Sequence, residues 1–299
     1  MPRRKALFVG LTVADIQYFA NHSPIANQKL AATEMLVCAG GPATNAAVAF
    51  SALNGEADLL TCLGNNPFSE LISNDLTKQN ISIIDTMQGQ PFNIGVSSVI
   101  TNIGNGDRTI ITKHPDQLNQ AILTNNAIDI SHYEIVLTDG FYPEISAPII
   151  KQAKEAGIPV VFDGGSWKPH LTEVLPFVDI AICSEHFCPP GIKEISQIFR
   201  FLHRLGASKA AITRGEKSIL WSESNVQGEV MVCPVEAIDT LGAGDIFHGA
   251  FTYFYCNGDP FCSSLEKASS VAAFSLKHKG TRQWIDPFKK NVPFKNGFS

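Results

Sequence analysis

Residues 238–251 read Ile-Asp-Thr-Leu-Gly-Ala-Gly-Asp-Ile-Phe-His-Gly-Ala-Phe, and this stretch decides how the rest of the chain is interpreted. The apolar residues after Gly244 recur at helical spacing, which predicts a buried helix that starts here. Gly242 and Gly244 let the backbone approach a ligand closely, and the free N–H groups and dipole of a helix N-terminus attract anions. We therefore expect an anion site at the backbone of Gly242, Ala243 and Gly244.

Asp245 stands inside this predicted anion site, where its charge would repel a phosphate unless the carboxylate had a chemical task. The natural task is to accept a proton from a hydroxyl that attacks a phosphoryl group. An acidic residue in the first turn of a helix is also common without any such role, so the pattern alone leaves both interpretations open. The chain has no G-x-G-x-x-G at this stretch and no Gly-Lys-Ser/Thr of a P-loop, which excludes those two phosphate-binding patterns.

The second half of the chain alternates short apolar runs with segments of helical spacing. This alternation predicts a parallel sheet covered by helices on both faces, with ligands outside the carboxyl ends of the strands. The apolar runs are Ile135–Thr138, Val160–Phe162, Ile180–Cys183 and Ala210–Thr213, and the helical segments are Ala147–Gly157 and Glu194–Leu205.

The first half is less regular, and polar residues alternate through segments near 11–20, 29–38, 91–101 and 107–113. The sequence Gly104-Asn105-Gly106-Asp107 is typical of a hairpin turn. These strands predict a small sheet inserted near 11–38 and 91–113 that stands off the main sheet as a lid. We expect one domain over residues 1–288 and a C-terminal tail over 289–299.

The composition limits the class of protein. A chain of 299 residues with 44% hydrophobic and 17% charged residues can form a large core, which argues against disorder. A formal charge of −5 gives no basic surface for nucleic acid. Seven scattered cysteines and the lack of a long apolar stretch predict a cytoplasmic protein with free thiols and no membrane partner.

Two motifs resemble those of the ribokinase-like (PfkB) carbohydrate kinases. Asp-Thr-Leu-Gly-Ala-Gly-Asp at 239–245 resembles the C-terminal motif of that family, and Gly40-Gly41-Pro42-Ala43-Thr44-Asn45 resembles its N-terminal motif. Two motifs in the right order make coincidence improbable. Three further segments extend the resemblance over nearly the whole chain, namely Gly10–Asp15, Thr213–Gly215 and Lys279–Thr281.

The resemblance implies an α/β fold, a ribokinase-like three-layer α/β/α sandwich with a small β-sheet lid. It implies that Asp245 is the base and that the N–H groups of Ala243, Gly244 and Asp245 form an anion hole. Asp15, Gly41, Asn45 and, after its strand, Asp139 would hold a sugar. From the residues alone, Asp15 could equally be a turn residue, Asn45 a helix cap and Asp139 an ordinary loop aspartate.

The resemblance also implies ATP and Mg²⁺ as cofactors, with Thr213, Gly215 and Gly280 joining Gly242 and Gly244 on the nucleotide side. Asp239 resembles a position that binds a monovalent cation in some members, so K⁺ activation is an expectation, and a structural loop carboxylate is the alternative. Where family members often have Asn-x-x-Glu, this chain has Ser184-Glu185-His186-Phe187. Glu185 is the candidate to act on Mg²⁺ through water in its place.

Within the family the sequence is most similar to ketohexokinase and ribokinase, which implies a free ketose or pentose as acceptor and a homodimer. Adenosine-type nucleosides and phosphorylated sugars stay open as alternatives. So does a sugar- or nucleotide-binding protein without turnover, while a NAD-dependent oxidoreductase is disfavoured by the missing G-x-G-x-x-G. His248, three residues after Asp245, is more simply a packed or solvent-facing side chain than a phosphate contact.

Overall fold

A computed structural model describes residues 3–118, 128–224 and 226–291, and these ranges contain thirteen strands and eight α-helices. The strands are β1 (Lys5–Val9), β2 (Val13–Ala20), β3 (Glu34–Gly40), β4 (Glu56–Thr61), β5 (Ile81–Asp85), β6 (Gly95–Asn102), β7 (Arg108–Lys113), β8 (Ile135–Thr138), β9 (Val160–Gly164), β10 (Ile180–Ser184), β11 (Lys209–Arg214), β12 (Lys217–Glu223) and β13 (Val226–Val230). The helices are α1 (Pro42–Ala52), α2 (Ser69–Lys78), α3 (Pro143–Glu155), α4 (Leu171–Val174), α5 (Ile195–Leu205), α6 (Ala243–Cys256), α7 (Phe261–Ser275) and α8 (Ile285–Asn291).

Nine strands form the main sheet in the order β13-β12-β11-β10-β9-β8-β1-β4-β5. The strands from β11 to β5 pair in parallel, and β12 and β13 add an antiparallel edge. The chain builds outward from β1 through β4 to β5 and then returns to place β8 on the other side of β1. A reversal of this kind opens a crevice at the carboxyl ends of the two strands, which is where ligands bind in such sheets.

Helices cover both faces of the main sheet because its buried strands present apolar side chains alternately to each side. Phe8 faces the layer that contains α1, α6 and α7, whereas Leu7 and Val9 face the layer that contains α3 and α5. All three residues are at most 1% exposed. The three-layer α/β/α arrangement predicted from the sequence is therefore confirmed.

A second sheet of four strands, in the order β3-β2-β6-β7, stands beside the first. β2 pairs antiparallel with β3 and parallel with β6. In this sheet Asp15 lies opposite Cys38 on one side and Ser97 on the other. The turn between β6 and β7 lies at the predicted hairpin, and every residue of β7 is exposed. This small sheet occupies the predicted position of the lid.

Most element boundaries lie close to those predicted. The strand at Ile135–Thr138 has the predicted limits, whereas β3 starts at Glu34, five residues later than the predicted segment 29–38. Asn27 has a left-handed backbone conformation (φ 62°) and turns the chain before β3. The first backbone hydrogen bond to β2 follows at Thr33, whose N–H donates to the carbonyl of Phe19. Residues 289–291, assigned to the tail by sequence, continue α8, and the rest of the tail lies outside the described residues. Among the described helices, none has the length and apolarity needed to span a membrane.

Candidate active site

Asp139 lies where the carboxyl ends of β1 and β8 meet. Its carboxylate accepts hydrogen bonds from the backbone N–H groups of Leu11 (2.9 Å), Ala43 (3.1 Å) and Phe141 (3.0 Å). Burial raises the pKa of Asp139 above its ordinary value, and these three N–H groups oppose part of that rise. Asp139 therefore joins the start of the lid to the start of α1, and direct contact with a sugar stays a prediction.

The start of α6 places Asp245 at the sheet crevice. Gly242 precedes the helix with φ of 68°, and a Cβ on it would lie 2.6 Å from Cγ2 of Thr281, so both conformation and space favour glycine. Asn45 of α1, 200 residues earlier in the chain, donates its side-chain N–H to Asp245 Oδ2 at 2.8 Å. The structure thus brings the two sequence motifs into direct contact.

The environment of Asp245 sets its proton affinity. Burial raises the pKa of Asp245 to about 7, and the nearby carboxylate of Asp163 acts in the same direction. The hydrogen bond from Asn45 and the proximity of His248 oppose this rise. A carboxylate with a pKa near 7 suits a general base that works at neutral pH.

Asp15 lies on β2, beside the same crevice, and is 7% exposed. Burial raises the pKa of Asp15 to about 6, the charge of Asp245 adds to the rise, and Arg282 and Ser97 oppose it. A Cβ on Gly40 would overlap the Asp15 carboxylate, so the glycine leaves the space that this side chain fills. Gly41 follows as the residue before α1.

Arg282 is a residue of the site that sequence reasoning missed. Its guanidinium donates to Asn45 Oδ1 (2.9 Å), to Asp75 Oδ2 (3.2 Å) and to the carbonyl of Ala39 (2.7 Å). Hydrogen bonds therefore run from Asp75 through Arg282 and Asn45 to Asp245. No local pattern marks Arg282 or Asp75, and only the proximity of Arg282 to the Lys279-Gly280-Thr281 segment could have drawn attention to it.

A cavity of about 490 Å³ lies on the other side of the α6 start and reaches Gly244. Its wall is mostly apolar, which suits a nucleobase, and it leads to the helix N-terminus, which suits phosphates. It is lined by Thr213, Gly215, Glu216, Ile219, Val232, Cys233, Pro234, Val235, Ala237, Thr240, Ala243, Gly244, Phe247, Ser269, Ala272, Ala273 and Leu276. The predicted residues Thr213, Gly215 and Gly244 therefore line one cavity. The sequence did not predict the lining residues from α7, which are Ser269, Ala272 and Ala273.

The predicted anion hole lies between these two regions. The first N–H groups of a helix have no partner within the helix, which leaves those of Gly244 and Asp245 available to a ligand. The N–H of Ala243 lies 3.4 Å from the carbonyl of Thr240, a long contact that it could exchange for a ligand. The anion hole itself stays a prediction.

Asp239 holds three segments together. Its carboxylate accepts hydrogen bonds from the Gln17 side chain (2.6 Å) and from the backbone of Gly280 (2.8 Å) and Leu241 (3.0 Å). Gln17 belongs to the lid, so Asp239 connects the lid to the loop at Gly280. These contacts are those of a structural loop carboxylate, and the binding of a monovalent cation stays a prediction.

Glu185 is exposed after β10, and its backbone N–H donates to the carbonyl of Thr213 at 2.9 Å. Within residues 3–118, 128–224 and 226–291, no group of three or more His, Cys, Asp or Glu side chains could hold a metal ion. Mg²⁺ commonly keeps several waters and binds one or two carboxylates together with substrate phosphates. The described residues fit an ion of that kind rather than a closed protein cage, and an indirect role for Glu185 stays a prediction.

Comparisons with known proteins agree with this geometry. The family model described as pfkB family carbohydrate kinase matches residues 3–287. The deoxyribokinase of Salmonella typhi is 26% identical over 291 residues, which cover 92% of this chain and 93% of that protein. The ribokinase of Bacillus subtilis is 23% identical over 275 residues, which cover 91% of this chain and 93% of that protein.

Two solved structures show the same fold. The structure of Arabidopsis thaliana ribokinase complexed with ribose and ATP superposes with a TM-score of 0.75 at 23% identity and covers 94% of each chain. Adenosine kinase from Sinorhizobium meliloti superposes with a TM-score of 0.79 at 15% identity and covers 97% of this chain and 100% of that one. The family match extends over nearly the whole chain and includes both motifs that meet at Asp245. The protein is therefore a member of the pfkB family of carbohydrate kinases, phosphotransferases that use an alcohol group as acceptor.

Proposed function

We propose that the protein transfers the γ-phosphoryl group of ATP to a hydroxyl of a free ketose or pentose, with Asp245 as the base. The observation that carries this proposal is the position of the Asp245 carboxylate. It is half-buried at the N-terminus of α6, hydrogen-bonded to Asn45, between the cavity at Gly244 and the polar crevice at Asp15.

Each residue of the site has a defined part in such a transfer. Asp245 takes the proton of the acceptor hydroxyl as the bond to phosphorus forms, and Asn45 holds the carboxylate in place. Asp15 and Asn45 bind other hydroxyls of the acceptor and fix its orientation. The N–H groups of Gly244 and Asp245 stabilise charge on the transferred group, and Mg²⁺ supplies further neutralisation of the phosphates when it is bound.

The lid contributes by excluding water, because a phosphoryl donor that is activated beside water would be hydrolysed. We also infer that the protein is a homodimer that pairs through the lid. The exposed apolar side chains Met35, Ile110 and Ile111, which are 49–68% exposed on strands β3 and β7, support this. Potassium activation through the loop at Asp239 is a further part of the proposal.

The names of the relatives support the class of acceptor. Several are ribokinases and two are deoxyribokinases, and the Arabidopsis structure is a complex with ribose and ATP. A pentose or a related ketose is therefore the first choice of acceptor for this chain.

The test is ADP release from Mg-ATP with a panel of ketoses, pentoses, nucleosides and phosphosugars, run for the wild type and for Asp245→Asn. We expect turnover with a free sugar that is lost in the variant. Asp286→Asn is the matched control, because Asp286 is an exposed aspartate in the first turn of α8. Turnover with a nucleoside alone would replace the proposed acceptor, and binding of ATP and sugar without any ADP release would reject catalysis.

A further inference from the structure

A buried pair of titratable side chains lies directly beneath the proposed base. His248 is one helical turn after Asp245 on α6 and is 3% exposed. Its Nδ1 lies 2.7 Å from the carbonyl oxygen of Gly244, and its Nε2 lies 3.1 Å from the carbonyl oxygen of Ile182 on β10. The imidazole therefore connects the first turn of α6 to the main sheet.

Both partners of this ring are hydrogen-bond acceptors, which limits its protonation state. A neutral imidazole has a single N–H group and would direct the lone pair of its other nitrogen at a carbonyl oxygen. The imidazolium form has two N–H groups and satisfies both Gly244 and Ile182. The contacts thus favour a protonated His248.

Asp163 supplies the matching negative charge. It lies near the end of β9, is 7% exposed, and its Oδ2 is 3.3 Å from Nδ1 of His248. This oxygen is buried and has no hydrogen-bond partner among the described residues, so the adjacent ring nitrogen of His248 is the group that can balance its charge or accept its proton. A carboxylate beside an imidazolium is the arrangement in which each buried charge has a partner.

Burial acts on each member of the pair separately. It raises the pKa of Asp163 to about 8 and lowers the pKa of His248, so neither charge would persist there alone. A neutral acid beside a neutral ring contains the same number of protons as the ion pair. The two carbonyl oxygens decide between these forms, because only the ion pair places an N–H group, rather than a lone pair, opposite each of them.

The pair faces few other titratable or charged groups on the elements packed around it. Electrostatic interactions of Asp163 or His248 extend to Asp245 on α6, Asp139 after β8, Lys168 after β9 and Cys183 on β10. Asp245 responds to both members, since the Asp163 charge raises the pKa of Asp245 and the His248 charge lowers it.

We propose that His248 is held as an imidazolium by Asp163 and by the carbonyls of Gly244 and Ile182, that this ion pair positions Asp245, and that the imidazolium charge favours the ionised form of Asp245 against the opposing charge of Asp163. The inference rests on the proposed role of Asp245 as the base. It makes His248 and Asp163 positioning residues, because neither needs to touch a substrate.

The charge state can be measured without any catalysis. Nuclear magnetic resonance of the full chain with ¹⁵N-labelled histidine distinguishes the imidazolium, whose two nitrogens resonate close together, from a neutral ring, whose nitrogens separate widely. His248→Gln identifies the signal among the eight histidines. We expect the imidazolium pattern to persist at pH 8, well above the ordinary histidine pKa of about 6.5.

Asp163→Asn should convert that signal to the neutral pattern at pH 8, and Asp163→Glu should restore it in part. Far-ultraviolet circular dichroism of each variant shows whether the fold is retained. A neutral pattern for wild-type His248 at pH 7, unchanged in Asp163→Asn, overturns the proposal. Because this measurement needs no turnover, it separates failure of the ion pair from failure of the proposed kinase activity.

Kinetics test the effect on the base. In His248→Gln we expect the acid limb of the kcat/KM profile to move up by about one pH unit, which lowers the rate about tenfold below neutral pH. KM values for ATP and sugar should change less than about twofold. The double variant Asp163→Asn/His248→Gln should shift the limb less than His248→Gln, because it removes both charges. Superimposable profiles for the wild type and His248→Gln would reject the role in ionising Asp245.

Discussion

The two sides of Asp245, where we propose that nucleotide and acceptor bind, differ in their physical character. The cavity that reaches Gly244 is lined mainly by apolar side chains and glycine, so a ligand there meets shape and backbone N–H groups. The crevice on the other side is built from buried and half-buried polar side chains, and Asp15, Asn45 and Arg282 are each held by a specific partner. The contrast indicates that binding on the proposed acceptor side depends on individual side chains. Binding on the proposed nucleotide side depends on the shape of the cavity and the position of the backbone.

Asp245→Asn, at the boundary between the two sides, should have the largest effect. We expect kcat to fall by about a hundredfold to ten-thousandfold, because an amide cannot accept the hydroxyl proton. ATP affinity should change little, since the cavity wall is untouched. Steady-state kinetics and calorimetric titration with ATP provide the two measurements, and an equal loss in both would contradict the proposed separation of the two sides.

Arg282→Met should have the next largest effect on activity, and that effect should be confined to the acceptor side. The substitution removes the hydrogen bonds to Asn45, Asp75 and Ala39, so Asn45 loses the group that orients it. We expect kcat/KM for the sugar to fall about 10- to 100-fold, the range for hydrogen bonds to a charged group. For Arg282→Lys, kcat/KM should lie between the values of the wild type and of Arg282→Met, because an ammonium group keeps the charge but cannot reach all three partners. Arg204→Met, at an exposed position of α5, is the control.

The pH dependence should give a smaller effect. Because the pKa of Asp245 is raised to about 7, kcat/KM should fall about tenfold per pH unit below neutrality. The same shift means that the native state binds protons more tightly than the unfolded chain, so this group makes stability fall as pH rises from about 4 to 7. In urea unfolding, the free energy of unfolding of the wild type should therefore be lower at pH 8 than at pH 5. This difference should be smaller in Asp245→Asn. An identical decrease in both proteins would contradict the raised pKa.

Gly244→Ala should have the smallest effect and should act on the nucleotide side alone. A Cβ at this position would have no protein atom within 4 Å, so the fold should accept it. Replacing a helical glycine by alanine stabilises a protein by about 0.4–1 kcal/mol, which raises Tm by a few degrees. The methyl group would project toward the phosphate site, and we expect the KM for ATP to rise several-fold. Gly242→Ala, at a left-handed position, should instead lower Tm.

The sequence predicted the fold and the two motifs because both have local signals. An apolar run bounded by polar residues marks a buried strand, as at Ile135–Thr138, and glycines before an apolar helix mark the start of α6. The contact between Asn45 and Asp245 could be anticipated only through the resemblance, since 200 residues separate them. Gln17, Asp75, Asp163 and Arg282 were missed because their roles arise from packing between distant segments, which leaves no periodic or spacing pattern.

Sequence reasoning was less informative about what each carboxylate does. Asp139 and Asp239 are both buried, and each binds backbone N–H groups from separate segments. Asp15 is also buried and Asp245 is half-buried, but each accepts fewer hydrogen bonds; burial and the charge of Asp245 raise the pKa of Asp15 to about 6, and burial and Asp163 raise that of Asp245 to about 7. The four residues look alike in the sequence, and only the number of donors around each one distinguishes a structural carboxylate from one suited to chemistry.

The connection through Asp239 has a thermodynamic consequence. One carboxylate oxygen accepts hydrogen bonds both from Gln17 of the lid and from Gly280 of the loop beyond α7, so the lid and this loop share a buried anchor. Any coupling free energy that passes through this anchor is reciprocal by necessity. If nucleotide tightens sugar binding by some factor, sugar tightens nucleotide binding by the same factor, and weakening the Gln17–Asp239 bond reduces both equally.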